Sequence, residues 1–224
     1  TMNNSLDDDV VLGLCKFHAS GREDMDVLMM ASDGPSSGRP FVCEVIDAYR
    51  KPTQSRLAEA MLKINCINKG DKIWADNMYG RNENGVGVDS LSFTTSSRFS
   101  GLQKETEDKV KHYKCVCWSE REIPSQHYLD NLLTRSDALE IIQSTPIRVL
   151  HRRSSANRLR HILKAKAVKT DEHWFELYIS TSAGTYVKEF VHGDMGRTRP
   201  SVSSILGCKT DIVQLDCVGI QFDG

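Results

Sequence analysis

Residues 111–118 alternate polar and apolar side chains, and this alternation constrains the fold more than any other feature of the chain. A strand with one face in a core and the other in water has this period. Residues 147–150, 158–168 and 174–182 predict further strands of an antiparallel sheet, and residues 210–218 predict a final strand. The sequence therefore predicts a sheet-rich second half.

The first half of the chain carries shorter runs that are compatible with strands. Residues 10–17 form one of them, and residues 73–79 form another. Residues 26–30 and 41–46 are separated by a turn-rich segment, residues 32–38. We therefore predict that these two strands pair as a hairpin.

The clearest helix covers residues 53–68, where Leu57, Met61 and Ile64 fall on one face and a glycine at position 70 follows. Shorter helices are predicted at residues 125–133, 137–143, 186–192 and 202–206, and a turn is predicted at residues 198–200. Together with the strands, these segments predict an α+β fold with more strand than helix.

Composition and charge limit the function. The chain has 224 residues, 39% of them hydrophobic and 26% charged, as in an ordinary soluble globular protein. No apolar run approaches the ~20 residues that a membrane-spanning helix needs. The net charge of −1 argues against a general nucleic-acid binder, but residues 146–170 contain eight Lys or Arg and no Asp or Glu. Because a phosphate backbone responds to local basic density, this run predicts a phosphate-contacting surface.

Seven cysteines are scattered along the chain, at positions 15, 43, 66, 115, 117, 208 and 217. Their odd number and lack of paired spacing predict reduced, buried thiols in an intracellular protein of the nucleus, the cytoplasm or an organelle. No Cys-x-x-Cys pair occurs, so no zinc site is predicted. Cys115 and Cys117 would share one strand face, where core packing is favoured over metal binding.

Three stretches contain residues that are suited to chemistry. In the first, Gly21 is followed by Arg22, Asp24 and Asp26 where the predicted strand begins. On spacing alone, this cluster fits a solvated turn with two interchangeable carboxylates better than it fits a charged cleft. The third stretch is the basic segment of residues 145–153.

The second stretch follows the strand predicted at residues 174–182. Gly184 allows the backbone to turn from strand to helix, and Tyr186 and Lys188 lie just past that turn, where both can point into a cleft. A cation ~4 Å from Asp24 would hold it ionised, gaining about 4 kcal/mol before desolvation at an effective dielectric of about 20. Taken singly, each residue fits a structural role better, Tyr186 as a core aromatic and Lys188 on a solvated helix face.

Taken together, these stretches resemble the catalytic domain of the archaeal and eukaryotic tRNA pseudouridine-54/55 synthases. The similar segments keep the order of the family and are residues 16–24, 38–41, 145–153, 183–194 and 196–198. The resemblance runs from about Lys16 to about Val218, which is nearly the whole chain.

The resemblance implies a pseudouridine synthase fold, a mixed and mainly antiparallel sheet flanked by helices and loops around a central active-site cleft. It implies that Asp24 catalyses the isomerisation of uridine to pseudouridine in the TΨC arm of tRNA, at position 54, 55 or both. Tyr113 would stack on the flipped base and Tyr186 would pack beside it. Lys188 would pair with Asp24, keeping the charge of the arginine found in bacterial relatives without its bidentate fork.

The same resemblance implies binding roles for further residues. Leu206 is expected to pack against the uracil, with Ile205 as the alternative, and Arg22 is expected to hold the backbone of the target nucleotide or to help keep it flipped. The RNA backbone is expected to follow a track of five arginines, Arg148, Arg152, Arg153, Arg158 and Arg160. No metal and no organic cofactor are expected, because the substrate already contains every atom of the product.

Domain organisation and partners are also expectations. Residues 1–9 are expected to be a disordered tail and residues 10–224 a single catalytic domain, with residues 80–111 as a protruding loop that contacts RNA. The N-terminal zinc-containing accessory domain of the family is expected to be absent. The expected partner is tRNA or another structured RNA, with no membrane, no obligatory protein partner and a monomeric chain.

Two other functions stay open on the sequence. A non-catalytic RNA-binding or assembly factor can use the same fold. A Mg²⁺-dependent nuclease can gather Asp24, Asp26 and Glu44 across the predicted hairpin. The presence of both tyrosines, the lysine and Asp24 together favours the synthase.

Overall fold

The computed structural model describes residues 14–21, 27–29, 38–48, 51–66, 87–104 and 110–220. The strands and helices in these ranges are β1 (Leu14–Ala19), β2 (Val27–Met29), β3 (Phe41–Ile46), α1 (Gln54–Cys66), α2 (Ser96–Lys104), β4 (Lys111–Ser119), α3 (Gln126–Leu132), β5 (Leu139–Ser144), β6 (Asn157–Lys169), β7 (Trp174–Thr181), α4 (Val187–His192), β8 (Thr198–Arg199), α5 (Val202–Leu206) and β9 (Thr210–Ile220). The chain divides into two compact units, residues 1–20 with 40–102 and residues 21–39 with 103–224.

In the first unit, β1 and β3 form a two-stranded antiparallel sheet. The rings of Phe17 and Phe41 stack on one face of it, with their centroids 5.4 Å apart. On the other face, Nε2 of His18 lies 3.1 Å from Oε2 of Glu44. Strand β1 confirms the end of the strand predicted at residues 10–17, of which residues 10–13 lie outside the described ranges.

Helix α1 confirms the predicted helix at residues 53–68, as far as Cys66, where the described range ends. Thr53 precedes it, and its hydroxyl accepts a hydrogen bond from the backbone N–H of Arg56 at 3.3 Å, which satisfies a free donor of the first turn. Asn65, near the other end, exchanges two hydrogen bonds of 2.7 Å with the backbone of Val88.

The segment at residues 80–111 contains helix α2, which sequence periodicity did not predict. A threonine precedes this helix too: the Thr95 hydroxyl accepts from the N–H of Arg98 at 3.4 Å. The ring of Phe99, on α2, packs edge-on against His18 with centroids 4.6 Å apart. The nine residues of α2 include one large aromatic side chain and show no clear apolar stripe. The sequence therefore has no helical period in this segment. The proposed RNA contact of this segment stays a prediction.

The hairpin predicted between residues 26–30 and 41–46 is wrong. Strand β3 pairs with β1, whereas β2 pairs in parallel with β9, at the far end of the chain. Residue composition identifies a turn between two strands, but the pairing partner of a strand depends on long-range burial, which no local pattern encodes.

The second unit is built on a seven-stranded sheet in the order β2-β9-β4-β7-β6-β5-β8. All of its pairs are antiparallel except that of β2 with β9, which confirms the predicted mixed, mainly antiparallel α+β class. Strand β4 alternates buried and half-exposed residues along its whole length, as predicted for residues 111–118. The residues predicted as strands at 158–168, 174–182 and 210–218 form β6, β7 and β9.

The core of the second unit lies on one face of this sheet. Phe175 and Leu177 of β7 are fully buried there together with Leu129 of α3, Val191 of α4 and Val202 of α5. The short helices predicted at residues 125–133, 186–192 and 202–206 are thus confirmed, each with an apolar side facing the core. Tertiary burial stabilises helices that are too short to form alone.

Two predicted elements of the second unit are wrong. The sequence predicts a helix at residues 137–143, but Leu139–Ser144 form strand β5. Ile141 is buried and the next residue, Ile142, is half exposed, as expected for the two faces of a strand. Consecutive isoleucines hid the alternation of a strand. Residues 147–150 were predicted as a strand, but Ile147–Val149 form a 3-10 turn closed by the bond from Val149 N–H to Pro146 O at 3.0 Å. The turn predicted at residues 198–200 begins with the two-residue strand β8.

Cysteine burial is mixed among the described residues. Cys115, Cys117 and Cys217 are buried as predicted, and burial raises the pKa of the Cys115 and Cys117 thiols well above the ordinary value. Cys15 and Cys43 lie on the exposed two-stranded sheet, which corrects the expectation of burial for these two. None of the helices in the described ranges is long and apolar enough to cross a membrane.

Candidate active site

The motif that begins at Gly21 is anchored by its two ends. Gly21 has φ +88°, a left-handed conformation that glycine adopts without strain. After the motif, Val27 and Met29 of β2 pair with Leu215 and Cys217 of β9 and pack against the core of the second unit. Arg22, Asp24 and Asp26 lie outside the described residues. The roles of Arg22 and Asp24 stay predictions.

Tyr113 lies in the same sheet as β2, with one strand between them. On β4 it pairs with Cys217 of β9, which in turn pairs with Met29 of β2. A register shift between His112 and Tyr113 interrupts the pairing at this point. Only 3% of Tyr113 is exposed, so its ring is held by core packing. The strand that follows Asp24 and the tyrosine predicted to stack on the base thus lie in one sheet, on either side of β9.

Gly184 makes the turn that leads from β7 into α4. Its φ of +74° lies in the left-handed region. The guanidinium of Arg160 packs over this turn: its Nε donates to Gly184 O at 3.1 Å, and a Cβ added at Gly184 would lie 3.2 Å from Nη2. Thr185 closes the turn by donating from its hydroxyl to Ser182 O at 2.8 Å. The turn therefore favours glycine for its backbone, and a Cβ there would push the Arg160 guanidinium aside by a few tenths of an ångström.

Replacing Gly184 by Ala is expected to lower the free energy of unfolding by about 1–2 kcal/mol from backbone strain, with an added cost for moving the Arg160 guanidinium. Gly207→Ala is the matched control, because Gly207 has φ +67° and open space around its position. Urea unfolding of both variants separates the cost of backbone strain, which both share, from the cost of moving the Arg160 guanidinium, which only Gly184→Ala has. Equal reductions in stability would show that Arg160 yields without cost, and an unchanged Gly184→Ala protein would contradict the account.

Tyr186 is the residue before the first turn of α4, with an extended backbone and no side-chain cap. Its backbone is instead held by Gln143 of β5: the Tyr186 N–H donates to Gln143 Oε1 at 2.9 Å, and Gln143 Nε2 donates to Tyr186 O at 2.9 Å. Lys188 follows in the first turn of α4, and both Tyr186 and Lys188 are half-buried. The structure thus places both at the start of one helix, as predicted.

Arg148 connects the basic segment to the same helix. Its Nε donates to Oε1 of Glu189 at 2.7 Å, and the Glu189 side chain is 2% exposed. The Arg148 guanidinium carbon also lies 5.9 Å from the centroid of the Tyr186 ring, within the range of a cation–π contact. Asp194, beyond the end of α4, accepts a hydrogen bond from the N–H of Ile147 at 3.2 Å. Residues 145–149 are therefore joined to α4 at both of its ends.

Leu206 ends α5 and is buried in the hydrophobic cluster that includes Tyr113 and Val187. Ile205, the alternative for the uracil contact, is half-buried and packs against that cluster from outside. Helix α5 starts at a capping box in which Ser201 and Ser204 satisfy each other's backbone N–H groups. The structure brings Leu206 and Tyr113 into one cluster; their contact with a base stays a prediction.

The five arginines of the predicted RNA track differ in their surroundings. Arg158 is half-buried and donates to the Thr145 hydroxyl at 3.0 Å, and Arg160 is bound to the Gly184 turn. Arg152 and Arg153 are exposed, and their side chains make no hydrogen bond or ion pair with the part of the chain that the structure describes. These last two are the most available to a phosphate.

Two residues that contact Tyr186 or its helix were missed by sequence reasoning. Gln143 was assigned to a short helix, and its distance of 43 residues from Tyr186 offered no signal. Glu189 lies within a motif but was given no role, although an acidic residue in a mostly apolar stretch, Phe190 and Val191 following it, was a usable hint.

Comparison with known protein families matches residues 1–221 to the family described as Pus10, C-terminal. The chain belongs to this family, and the match confirms the resemblance drawn from the motifs. A relative from Mus musculus, named tRNA pseudouridine synthase Pus10, is 37% identical over 210 residues, covering 92% of this chain and 35% of the relative.

Relatives with the same name come from distant organisms. That of Xenopus laevis is 36% identical and covers 92% of this chain and 36% of the relative. That of Methanocaldococcus jannaschii is 36% identical and covers 92% of this chain and 40% of the relative. The chain therefore spans well under half the length of these curated relatives.

Among solved structures, a chain of a Cbf5-Nop10-Gar1 complex aligns with 53% of this chain and 33% of its own length, at 16% identity and a TM-score of 0.42. A chain of an archaeal box H/ACA sRNP Nop10-Cbf5 complex aligns with 50% of this chain and 28% of its own, at 14% identity and a TM-score of 0.34. The family assignment rests on the family model and not on these partial overlaps.

Proposed function

We propose that this chain is the catalytic domain of an RNA pseudouridine synthase that converts uridine to pseudouridine in the TΨC arm of tRNA, at position 54, 55 or both. The observation that carries the proposal is the family match over residues 1–221, supported by relatives of 36–37% identity that are named tRNA pseudouridine synthases. The geometry around α4 supports it, because a tyrosine and a lysine of the family motif start one helix beside the core that holds Tyr113.

The reaction exchanges one bond to the ribose for another. The bond from uracil N1 to C1′ breaks, the base rotates, and C5 bonds to C1′. A proton leaves C5 for water and N1 takes up a proton, so the net change is an isomerisation without a redox partner. Asp24 is proposed to act on the flipped nucleotide while the first bond breaks.

The remaining site residues are proposed to hold the flipped base. Extruding a base costs a few kcal/mol, and stacking on Tyr113 can return ~1–3 kcal/mol. Leu206 supplies an apolar surface, Tyr186 borders the base, and Lys188 keeps Asp24 ionised. Tyr113 and Leu206 are only 3% and 5% exposed, so a base can contact them only when the groups that cover them move aside.

Arg152 and Arg153 are proposed to be phosphate contacts. Neutralising both in the variant Arg152→Gln/Arg153→Gln is expected to weaken tRNA binding and to reduce the slope of log K against log salt by about 0.7–0.9 for each phosphate that is no longer neutralised. Fluorescence anisotropy at several salt concentrations measures this slope. Arg121→Gln, at an exposed site outside the basic run, is the control. A wild-type slope in the double variant would exclude both residues from the RNA interface.

The proposed function is tested with tRNA that carries tritium at C5 of uridine. The wild-type chain is expected to release tritium to water in the presence of a chelator, to leave the RNA chain length unchanged, and to produce carbodiimide-reactive sites in the TΨC arm on primer extension. Absence of tritium release with intact RNA binding would instead support the non-catalytic RNA-binding factor.

The nuclease alternative predicts shortened RNA that chelator protects. The structure weakens the sequence argument for a nuclease. Glu44 lies on β3, which pairs with β1, and the Glu44 carboxylate contacts His18. The hairpin that would have carried Glu44 to the acidic motif is not formed.

A further inference from the structure

Gln143 is a buried polar residue in a position that the proposed reaction does not yet explain. It lies in β5 with 1% of its surface exposed, between the edge strand β8 and the long strand β6. A buried amide is tolerated when its polar atoms are hydrogen-bonded. Both ends of the Gln143 amide are bonded to Tyr186, and its nitrogen also donates to the Thr198 hydroxyl at 3.4 Å.

The two bonds to Tyr186 decide where α4 begins. The backbone N–H of Tyr186 precedes the helix, and no capping side chain satisfies the helix start locally. Gln143 Oε1 accepts that N–H at 2.9 Å, while the Tyr186 carbonyl accepts both Gln143 Nε2 at 2.9 Å and the helical N–H of Phe190 at 3.0 Å. The backbone of Tyr186 is therefore fixed from outside its own helix, by a strand 43 residues away.

A second set of contacts, made through Arg148, restrains the ring of Tyr186. The Arg148 guanidinium faces it at 5.9 Å, and Arg148 is itself oriented by the 2.7 Å bond to Glu189, three residues after Tyr186 on α4. Glu189 has no room to move away, because it is almost completely buried. Gln143, Arg148 and Glu189, here called the Tyr186 clamp, thus hold one residue by its backbone and by its ring.

We propose that Gln143, as the backbone half of the Tyr186 clamp, is a positioning residue that aims Tyr186 and Lys188 at the flipped uridine. The catalytic part of this inference rests on the proposed function. Without the two bonds, the first turn of α4 is free to shift, and the aromatic ring and the ammonium move with it. Small displacements of positioned groups reduce the rate of a chemical step far more than they reduce binding.

The test compares Gln143→Met with Gln126→Met. Gln126 is the control, since its amide donates to Ala167 O and to Asp130 Oδ1, each at 2.8 Å, and accepts from the N–H of Lys169 at 2.7 Å, the same kinds of bond at an exposed site away from α4. Two quantities are measured: hydrogen exchange of the Tyr186 amide, and the single-turnover rate constant of tritium release together with its amplitude and the tRNA Kd.

Gln143→Met is expected to exchange the Tyr186 amide at least tenfold faster and to lower the single-turnover rate constant at least tenfold, with Kd within twofold of wild type. Gln126→Met is expected to change none of these. Gln143→Glu keeps the acceptor for the Tyr186 N–H, and a carboxyl that takes up a proton at this buried site also keeps a donor for Tyr186 O, so this variant is expected to fall between Gln143→Met and wild type. Partial unfolding only lowers the concentration of folded enzyme, so with folded enzyme in saturating excess over tRNA it leaves the rate constant unchanged and is distinguishable from misplacement.

Unchanged exchange at Tyr186 in Gln143→Met overturns the clamp, and so does a rate constant within twofold of wild type. If Gln143→Met does not fold, Gln143→Glu decides the question by the same two measurements. If the wild-type chain itself releases no tritium, the proposed function fails, and the exchange measurement alone decides whether Gln143 holds Tyr186.

Discussion

Asp24→Asn is expected to lower the rate of pseudouridine formation by about 10²- to 10⁴-fold. The Kd for tRNA is expected to stay within a few-fold of wild type. The amide keeps the size of the side chain but can neither attack nor exchange a proton, and positioned acid–base or nucleophilic groups contribute about this much to rate. Tritium release from tRNA labelled at C5 of uridine measures the rate, and a filter-binding titration measures the Kd.

Asp26→Asn is the control for this experiment, because it removes the second carboxylate of the same motif with the same change in charge. It is expected to cost no more than about tenfold, as for a supporting hydrogen-bond acceptor. If Asp26→Asn abolishes turnover and Asp24→Asn does not, the assignment of the two acids is reversed. If neither does, the motif is not catalytic.

Arg148→Met is expected to lower the free energy of unfolding by about 2–3 kcal/mol. The change leaves Glu189 buried without its cation, and removing one partner of a fully buried pair costs about 3–5 kcal/mol. The Arg148 side chain is 38% exposed, so water screens part of the interaction and the smaller value applies. Urea unfolding measures the change. Arg152→Met, at an exposed site in the same segment, is expected to stay within about 0.5 kcal/mol of wild type.

The opposite single change, Glu189→Met, is expected to lower the free energy of unfolding by less than Arg148→Met. Glu189→Met leaves an arginine that can still reach water, and one oxygen of Glu189 has no hydrogen-bond partner among the described residues. The double variant Arg148→Met/Glu189→Met is expected to recover much of the stability that Arg148→Met removes, giving a coupling of at least about 1 kcal/mol in the cycle. Additive effects would contradict an energetic role for this pair.

The same variants test whether Arg148 also contacts RNA. A phosphate contact would reduce the salt slope of tRNA binding by about 0.7–0.9, whereas an arginine oriented by Glu189 toward Tyr186 leaves the slope unchanged. We expect the unchanged slope, because Arg148 is already paired with Glu189, and this result would take Arg148 out of the five-arginine track predicted from the sequence.

Local patterns predicted most of the second unit. The alternation in residues 111–118 is the burial pattern of β4, and the glycine at position 184 separates a strand from a helix, as predicted. The failures have physical causes. Ile141 and Ile142 face opposite sides of β5 but give a continuous apolar run, and a strand in such a run cannot be told from a buried helix.

The candidate site was predicted as a set of residues but not as an arrangement. Tyr186, Lys188 and Leu206 were named from a resemblance to a family. The structure places Tyr186 and Lys188 at the start of α4 and buries Leu206 of α5 in the core cluster with Tyr113. The pairing of β2 with β9, which sets the strand after Asp24 beside β9, was not predicted. A parallel pair between residues so distant in the chain leaves no local signal.

The sequence by itself determined the strands and helices with clear periods and the glycine turns, because each depends on residues that are near one another in the chain. It also determined the family, because the residue types and order of the motifs are read without knowing which of them meet in space. Only the tertiary structure decided that Gln143 holds the backbone of Tyr186 and that Arg148 is oriented by Glu189. Such contacts arise when distant elements bury the same core and the polar groups trapped there must find partners. Burial, and not sequence spacing, selects those partners.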